Sequence, residues 1–281
     1  MGGDGQLTAR RGWDTWSSYL ILTVIALLVM IPVIWMLLGS IEPLSSMFSQ
    51  HLLPTRLDFS NYVTAFKSQS LGHYFFNSFF TTGVIVACQL ITSAFAAYGI
   101  VFTSVRMRHI VFALVIVSMM IPIQAIFIPD YVILSDLRWV NTYQALIVPF
   151  IGTGFGIFFL RQAYLRIPVT LLEAMKMDGA SHWTILRRLV IPNTKSALIT
   201  LALLNGVFHY GYLFWPLLVT NTSQYWVVPV GLSYFTEAQP DQILWNLLMA
   251  ANVLTILPLV AVFVWGQRYI VKGVLAYGIK G

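Results

Sequence analysis

From Ser17 to Ile41 the chain runs for about 25 residues without one Asp, Glu, Lys or Arg, and from His73 to Phe102 for about 30. A hydrocarbon core takes roughly 20 helical residues to cross. In lipid, runs of this kind satisfy their backbone polar groups only as helices. Composition points the same way. Of 281 residues 58% are hydrophobic and 9% charged, where a soluble domain has about a quarter charged. Such a chain cannot cover a globule with polar surface, so it reads as an all-α, polytopic membrane protein. The first run exceeds a signal-peptide core of roughly 7–15 residues, so it reads as an uncleaved span.

Six spans are expected, at about 17–41, 73–102, 110–128, 142–160, 196–219 and 245–265. Pro122 is expected to kink the third. Gly152, Gly154 and Gly156 are expected to let a neighbouring backbone approach the fourth. A polar tail, 1–16, precedes the first span, and another, 267–281, follows the sixth. With six spans, thirteen of the sixteen Lys and Arg fall on one side; Arg56, Lys67 and Arg138 fall on the other. Cytoplasmic loops carry the excess of basic residues. Both termini are therefore expected in the cytoplasm, with the protein in the cell (inner) membrane. The net charge of +6 then reports orientation rather than nucleic-acid binding.

Little chemistry is available to the chain itself. Cys88 is the only cysteine, which excludes disulfides within the chain and Cys-ligated metal sites. No Gly-x-x-x-x-Gly-Lys-Ser/Thr loop is present, so no P-loop holds ATP here. No cofactor, metal or catalytic constellation is expected.

The segment Ile167–Pro192, IPVTLLEAMKMDGASHWTILRRLVIP, is neither span-like nor loop-like. It reads as two short helices broken at Asp178-Gly179. Pro168 suits a first turn, Thr170 and Glu173 have capping-box spacing, and Gly179 supplies a left-handed stop. Ser181 can cap the second helix, and Pro192 is expected to end it. Ile185, Leu186, Leu189 and Val190 share one face of that helix, while His182, Arg187 and Arg188 lie elsewhere. Such a pair can lie on the lipid surface or dock a soluble partner. Glu173 taken alone is a capping carboxylate, and Arg187 and Arg188 are equally membrane anchors or partner contacts.

Glu173-Ala174-Met175, three residues, Gly179, nine residues, then Leu189-x-Ile191-Pro192 resembles the EAA loop of ABC importer permeases, Glu-Ala-Ala, three residues, Gly, nine residues, Ile-x-Leu-Pro. Met175 replaces the second Ala, and Leu189 and Ile191 exchange Ile and Leu. The resemblance implies that Glu173, Ala174, Met175, Asp178, Gly179, Ala180, Leu189 and Pro192 couple the spans to an ABC ATPase dimer, Glu173 through a charge contact. ATP and Mg would be bound by that partner. Arg268 to Gly273 and the closing Gly278-Ile279-Lys280-Gly281 resemble the end of MalG-type carbohydrate importer permeases. That branch implies a tail (Lys272, Gly278, Lys280, Gly281) reaching the ATPase, a homologous second permease of MalF type, and an extracytoplasmic solute-binding protein.

Within the spans Asn205 and His209 share a face at i, i+4, and Asn77, Gln89, Gln124 and Asn252 lie in or near other spans. These residues either line a sugar path or make hydrogen bonds between helices; the second reading is favoured, and Asn205, His209, Asn77 and Asn252 are the pore candidates. The 220–244 loop carries Tyr225, Trp226, Tyr234 and Phe235, with Pro229 and Gly231 marking a turn. By resemblance it reaches the binding protein; alternatively it is an interfacial aromatic belt. The expected function is passage of a sugar or oligosaccharide into the cytoplasm. The alternative is the same machine for glycerol phosphate or a polyol. A secondary transporter would want ionisable groups at mid-membrane, and no span carries Asp or Glu.

Overall fold

The computed structural model of the chain describes residues 4–47, 56–68, 70–103, 106–237 and 244–278. Helices account for nearly all of these, and among the described residues there is no strand. In chain order they are α1 (Asp4–Ser40), α2 (Ser60–Ser68), α3 (Leu71–Phe102), α4 (Arg108–Met120), α5 (Phe127–Asp136), α6 (Tyr143–Ile147) and α7 (Gly154–Tyr164). Then follow α8 (Val169–Met177), α9 (His182–Ile185), α10 (Ile191–Asn193), α11 (Lys195–Tyr210), α12 (Phe214–Val219), α13 (Val228–Glu237) and α14 (Trp245–Gly278).

Three stretches are long and apolar enough to cross a membrane: Ser18–Ser40, Leu71–Phe102 and Trp245–Tyr269. Two bent pairs bring the number to as many as five. The run expected as one span over 110–128 is broken. Ile121 is extended ahead of Pro122, as the residue before a proline tends to be, and Ile123–Ile126 form a 3-10 turn. The chain resumes at 92° to α4. The 142–160 run is likewise divided, at a milder 41° between Phe150 and Gly154. Thr142 and Thr153 cap its two parts through their hydroxyls. The fifth expected run is cut after Tyr210 and resumes as α12 at Phe214. The last helix does not stop at 265 but continues to Gly278 with Pro258 inside it. At the other end, α1 begins at Asp4, within the expected polar tail.

The chain divides into two compact units, residues 1–69 with 235–255, and residues 70–234 with 256–281. In the first, Asn61 donates to the carbonyls of Ser40 and Glu42 at 3.1 and 3.0 Å. Its own carbonyl accepts from Asn246 at 2.9 Å. Asp58 caps α2 by accepting from the amide and hydroxyl of Ser60, bonds that hold its carboxyl below the usual carboxylate range.

In the second unit α3 packs most extensively against α7 and next against α11. The approach of α7 to its neighbours depends on both of its glycines. A Cβ at Gly156 would lie 2.3 Å from Ser93 Oγ, and one at Gly154 would lie 2.9 Å from Met119 Cγ. Gly152 faces open space and plays no such part. A second cluster joins α5, α6, α12 and the start of α13 around Trp215, whose indole donates to Ala145 O at 2.9 Å.

Candidate functional site

The 167–192 segment folds as two short helical arms separated by a defined turn. Pro168 is the N-cap of α8 rather than a residue inside it, with φ −57° and ψ 128°. Thr170 is therefore already helical and makes no capping bond, so the expected capping box with Glu173 does not form. Glu173 and Ala174 are exposed, and Met175 leans partly into the interior. At the far end Asp178 is the C-cap and Gly179 takes φ +75°. The amide of Gly179 donates to Lys176 O and that of Ala180 to Met175 O, each at 3.0 Å. Both bonds together make a Schellman stop. A Cβ at Gly179 would meet nothing within 4 Å, so the glycine is required by its backbone angle and not by crowding.

Ser181 Oγ then accepts from Thr184 N at 3.3 Å and opens α9. Leu186–Val190 form a π turn, and the amide of Ile191 reaches back to Leu186 O. Proline lacks an amide donor and its ring crowds the carbonyl four residues back. The wider turn ends just ahead of Pro192, which is carried inside α10, and the helical path continues to Thr194 before α11 begins. Pro192 therefore does not end the second arm.

Ile185, Leu186, Leu189 and Val190 do share a face, at 1, 3, 8 and 0% exposure. That face meets this chain and neither lipid nor a partner. It packs on Ala94, Ala97 and Tyr98 of α3, Leu160 and Tyr164 of α7, and Leu201 of α11. Each such side chain contributes roughly 1.5–3 kcal/mol relative to exposure to water. Two further contacts fasten the arm to α3. His182 Nδ1 lies 2.9 Å from the Tyr98 hydroxyl, and Trp183 stacks on Phe95 at 6.1 Å and 11°. The sequence placed His182 off the apolar face and gave no hint of its partner. What remains outward is α8, with Val169, Glu173, Ala174 and Met177 exposed, and the exposed Arg187 and Arg188.

Of the polar candidates within the helices, Asn205 and His209 meet at Gln89. Gln89 of α3 accepts from Asn205 Nδ2 at 2.7 Å. Its own amide nitrogen donates to Phe150 O at 2.8 Å and lies 3.0 Å from His209 Nε2. An amide nitrogen only donates, so His209 Nε2 accepts and the ring proton sits on Nδ1. Asn77 is fully buried; it donates to Gln224 O and Trp226 O and accepts from the Tyr143 hydroxyl at 2.7 Å. Asn252 donates to Leu248 O at 2.8 Å, one turn back.

The described part of the expected 220–244 loop, 220–237 and 244, is less loop-like than expected. Pro229 and Gly231 lie within the first turns of α13. Trp226 stacks on Tyr234 with centroids 4.1 Å apart and planes 3° from parallel, and Tyr225 meets Tyr143 edge-on at 5.1 Å. Phe235 lies on α13 and Lys272 on α14, but their side chains are outside the described residues, and Gly278 is the last residue of α14. Lys280 and Gly281 lie wholly outside the described residues.

Residues 89–276 match the model of the family described as "Binding-protein-dependent transport system inner membrane component". The chain belongs to this family. The membership agrees with the resemblance carried by Glu173, Gly179 and Pro192. Among curated relatives of this transport family, the arabinooligosaccharides transport system permease protein AraQ of Bacillus subtilis (strain 168) is 29% identical over 263 residues, 92% of this chain and 93% of that protein. The sn-glycerol-3-phosphate transport system permease protein UgpE of Brucella abortus (strain 2308) is 31% identical over 206 residues, 73% of each chain. Among solved structures, the fold matches a chain of a bacterial ABC transporter involved in the import of the acidic polysaccharide alginate. That match has a TM-score of 0.82 and 22% identity, and covers 93% of this chain and 97% of that one. A chain of the alginate transporter in complex with a pentasaccharide-bound periplasmic protein matches with a TM-score of 0.65 and 16% identity, covering 92% and 94%.

Proposed function

We propose that this chain is one membrane-embedded permease subunit of an ATP-driven importer for a carbohydrate, working beside a second permease, an ABC ATPase dimer and an extracytoplasmic binding protein. The observation that carries the reading is the asymmetry of the 167–192 segment. Its second arm is fastened to α3, α7 and α11, while α8 presents Glu173 outward ahead of a fixed turn at Gly179. A knob of this kind passes a push on its exposed arm into the helices that hold its other arm. Closure of the ATPase on ATP would then bias the chain between two conformations, with ATP and Mg held by the ATPase alone.

The distribution of basic residues supports placing this segment, and both termini, in the cytoplasm. Six crossings follow if both bent pairs each count as one and α11 with α12 makes the last. The arabinooligosaccharide relative supports a neutral sugar, as does the absence of Lys and Arg from the middle of the expected spans. The glycerol-phosphate relatives favour a second reading in which the solute is anionic. The 220–237 region is the proposed contact for the binding protein, and Asn205 and His209 are the proposed edge of the solute path.

The test is co-purification from native membranes, then stimulation of ATP hydrolysis by binding protein loaded with neutral oligosaccharides or with glycerol phosphate. A neutral oligosaccharide is expected to stimulate. Stimulation by glycerol phosphate alone selects the second reading. Purification without any ATPase overturns both.

A further inference from the structure

α4 is anchored on one side only. Phe112 stacks on Phe158 of α7 at 6.3 Å, and the Arg161 guanidinium lies 3.8 Å over the Phe112 ring. No residue of α4 is buried. Beside this joint an open groove of about 210 Å³ runs between α3, α4 and α7. Ala96 and Gly99 of α3, Val111 and Val115 of α4 and Ile157 of α7 form apolar walls, and Arg108 lines the end where α4 begins. Arg108 is exposed, and so are its sequence neighbours Arg106 and His109. Arg161 is engaged with a ring, whereas the Arg108 side chain has only its neighbour His109, at 3.5 Å; among the described residues it meets no carboxylate.

We infer that this groove seats an acyl chain of an anionic phospholipid, with the phosphate of its headgroup held by Arg108 and Arg106. The walls alone would accept any lipid tail. The fixed positive charge at the end where α4 begins makes the groove selective. Basic pockets between membrane helices take anionic headgroups, and a zwitterionic lipid satisfies the walls but not the cations.

The geometry supplies a variant that fills the groove. A Cβ at Gly99 would meet nothing within 4 Å, so Gly99→Leu places a side chain in the open space at a position already helical. The full chain, purified with the subunits that accompany it, is titrated with phosphatidylglycerol and with phosphatidylcholine of the same acyl chains, and bound lipid is counted by native mass spectrometry. The unaltered protein is expected to retain phosphatidylglycerol with about a fivefold or greater preference. Arg108→Gln should hold both lipids equally, Arg108→Lys should keep the preference, and Gly99→Leu should lower retention of both. No preference in the unaltered protein, full preference in Arg108→Gln, or undiminished retention of both lipids in Gly99→Leu overturns the proposal. Loss of a protein subunit from Gly99→Leu also overturns it and makes the groove a subunit interface.

Discussion

The hydroxyl of Tyr98, four residues from the end of α3, lies 2.9 Å from Nδ1 of His182, the first residue of α9. This contact, with the Phe95–Trp183 stack beside it, ties the second arm of the 167–192 segment to α3. Tyr98→Phe keeps the ring and removes the bond. A hydrogen bond contributes about 1 kcal/mol, so coupling should fall roughly fivefold. The readout is solute-stimulated ATP hydrolysis at equal amounts of assembled complex. Unchanged stimulation would show that the bond is incidental.

Gly179 needs φ +75°, where a residue with a side chain loses roughly 1–2 kcal/mol. Gly179→Val should abolish most uptake while the chain still inserts. Gly179→Asn should retain much more, because asparagine tolerates the left-handed region. Equal uptake by the two variants would contradict the torsional argument.

Outward Glu173 meets no partner among the described residues, so Glu173→Ala should leave the melting temperature of the purified chain unchanged. It should nevertheless reduce uptake and the amount of ATPase that co-purifies. A drop in melting temperature with normal uptake would make Glu173 a structural residue.

Gln89 serves three partners at once, Asn205, His209 and Phe150 O. Gln89→Leu strands them, and hydrogen bonds between membrane helices contribute about 0.6 kcal/mol each, up to roughly 1.7. The melting temperature in detergent should fall more for Gln89→Leu than for Asn205→Ala, which removes one bond. The reverse order would mean that the cluster is not centred on Gln89.

At the α3–α7 contact a Cβ on Gly156 would press on Ser93 Oγ, and overpacking of this sort costs about 1–3 kcal/mol. Gly156→Ala should destabilise the chain. Ser93→Ala should relieve part of the loss, since that hydroxyl is buried without a partner. Gly206→Ala, whose added Cβ meets nothing within 4 Å, is the neutral control. A Gly156→Ala protein as stable as the control would refute the close approach.

Much of this was legible in sequence because it depends on local rules. Charge-free runs marked the apolar helices, the spacing from Glu173 to Pro192 marked the family, and the positions of Gly179 and Ser181 marked their caps. The apolar face of Ile185 to Val190 was legible too, but not what covers it, since a periodic stripe names no receptor. Thr170 and Glu173 had capping-box spacing, yet Pro168 took the cap position first. Pro122 announced a kink; whether the chain turns by a few degrees or by 92° depends on neighbours distant in sequence. Gly152, Gly154 and Gly156 looked alike in sequence, and only the packing of Ser93 and Met119 separates Gly154 and Gly156 from Gly152. In sequence Gln89 is one amide among several, because its partners come from two other helical segments.

The open space around Gly179 gives that turn an unusual kind of selectivity. Nothing nearby measures the size of a side chain there, while the backbone demands one hand of twist. D-alanine, the mirror image of the natural residue, prefers the same left-handed angles, so a chain carrying it at this position should fold and couple where one carrying L-alanine falters. The turn discriminates by chirality and is indifferent to bulk.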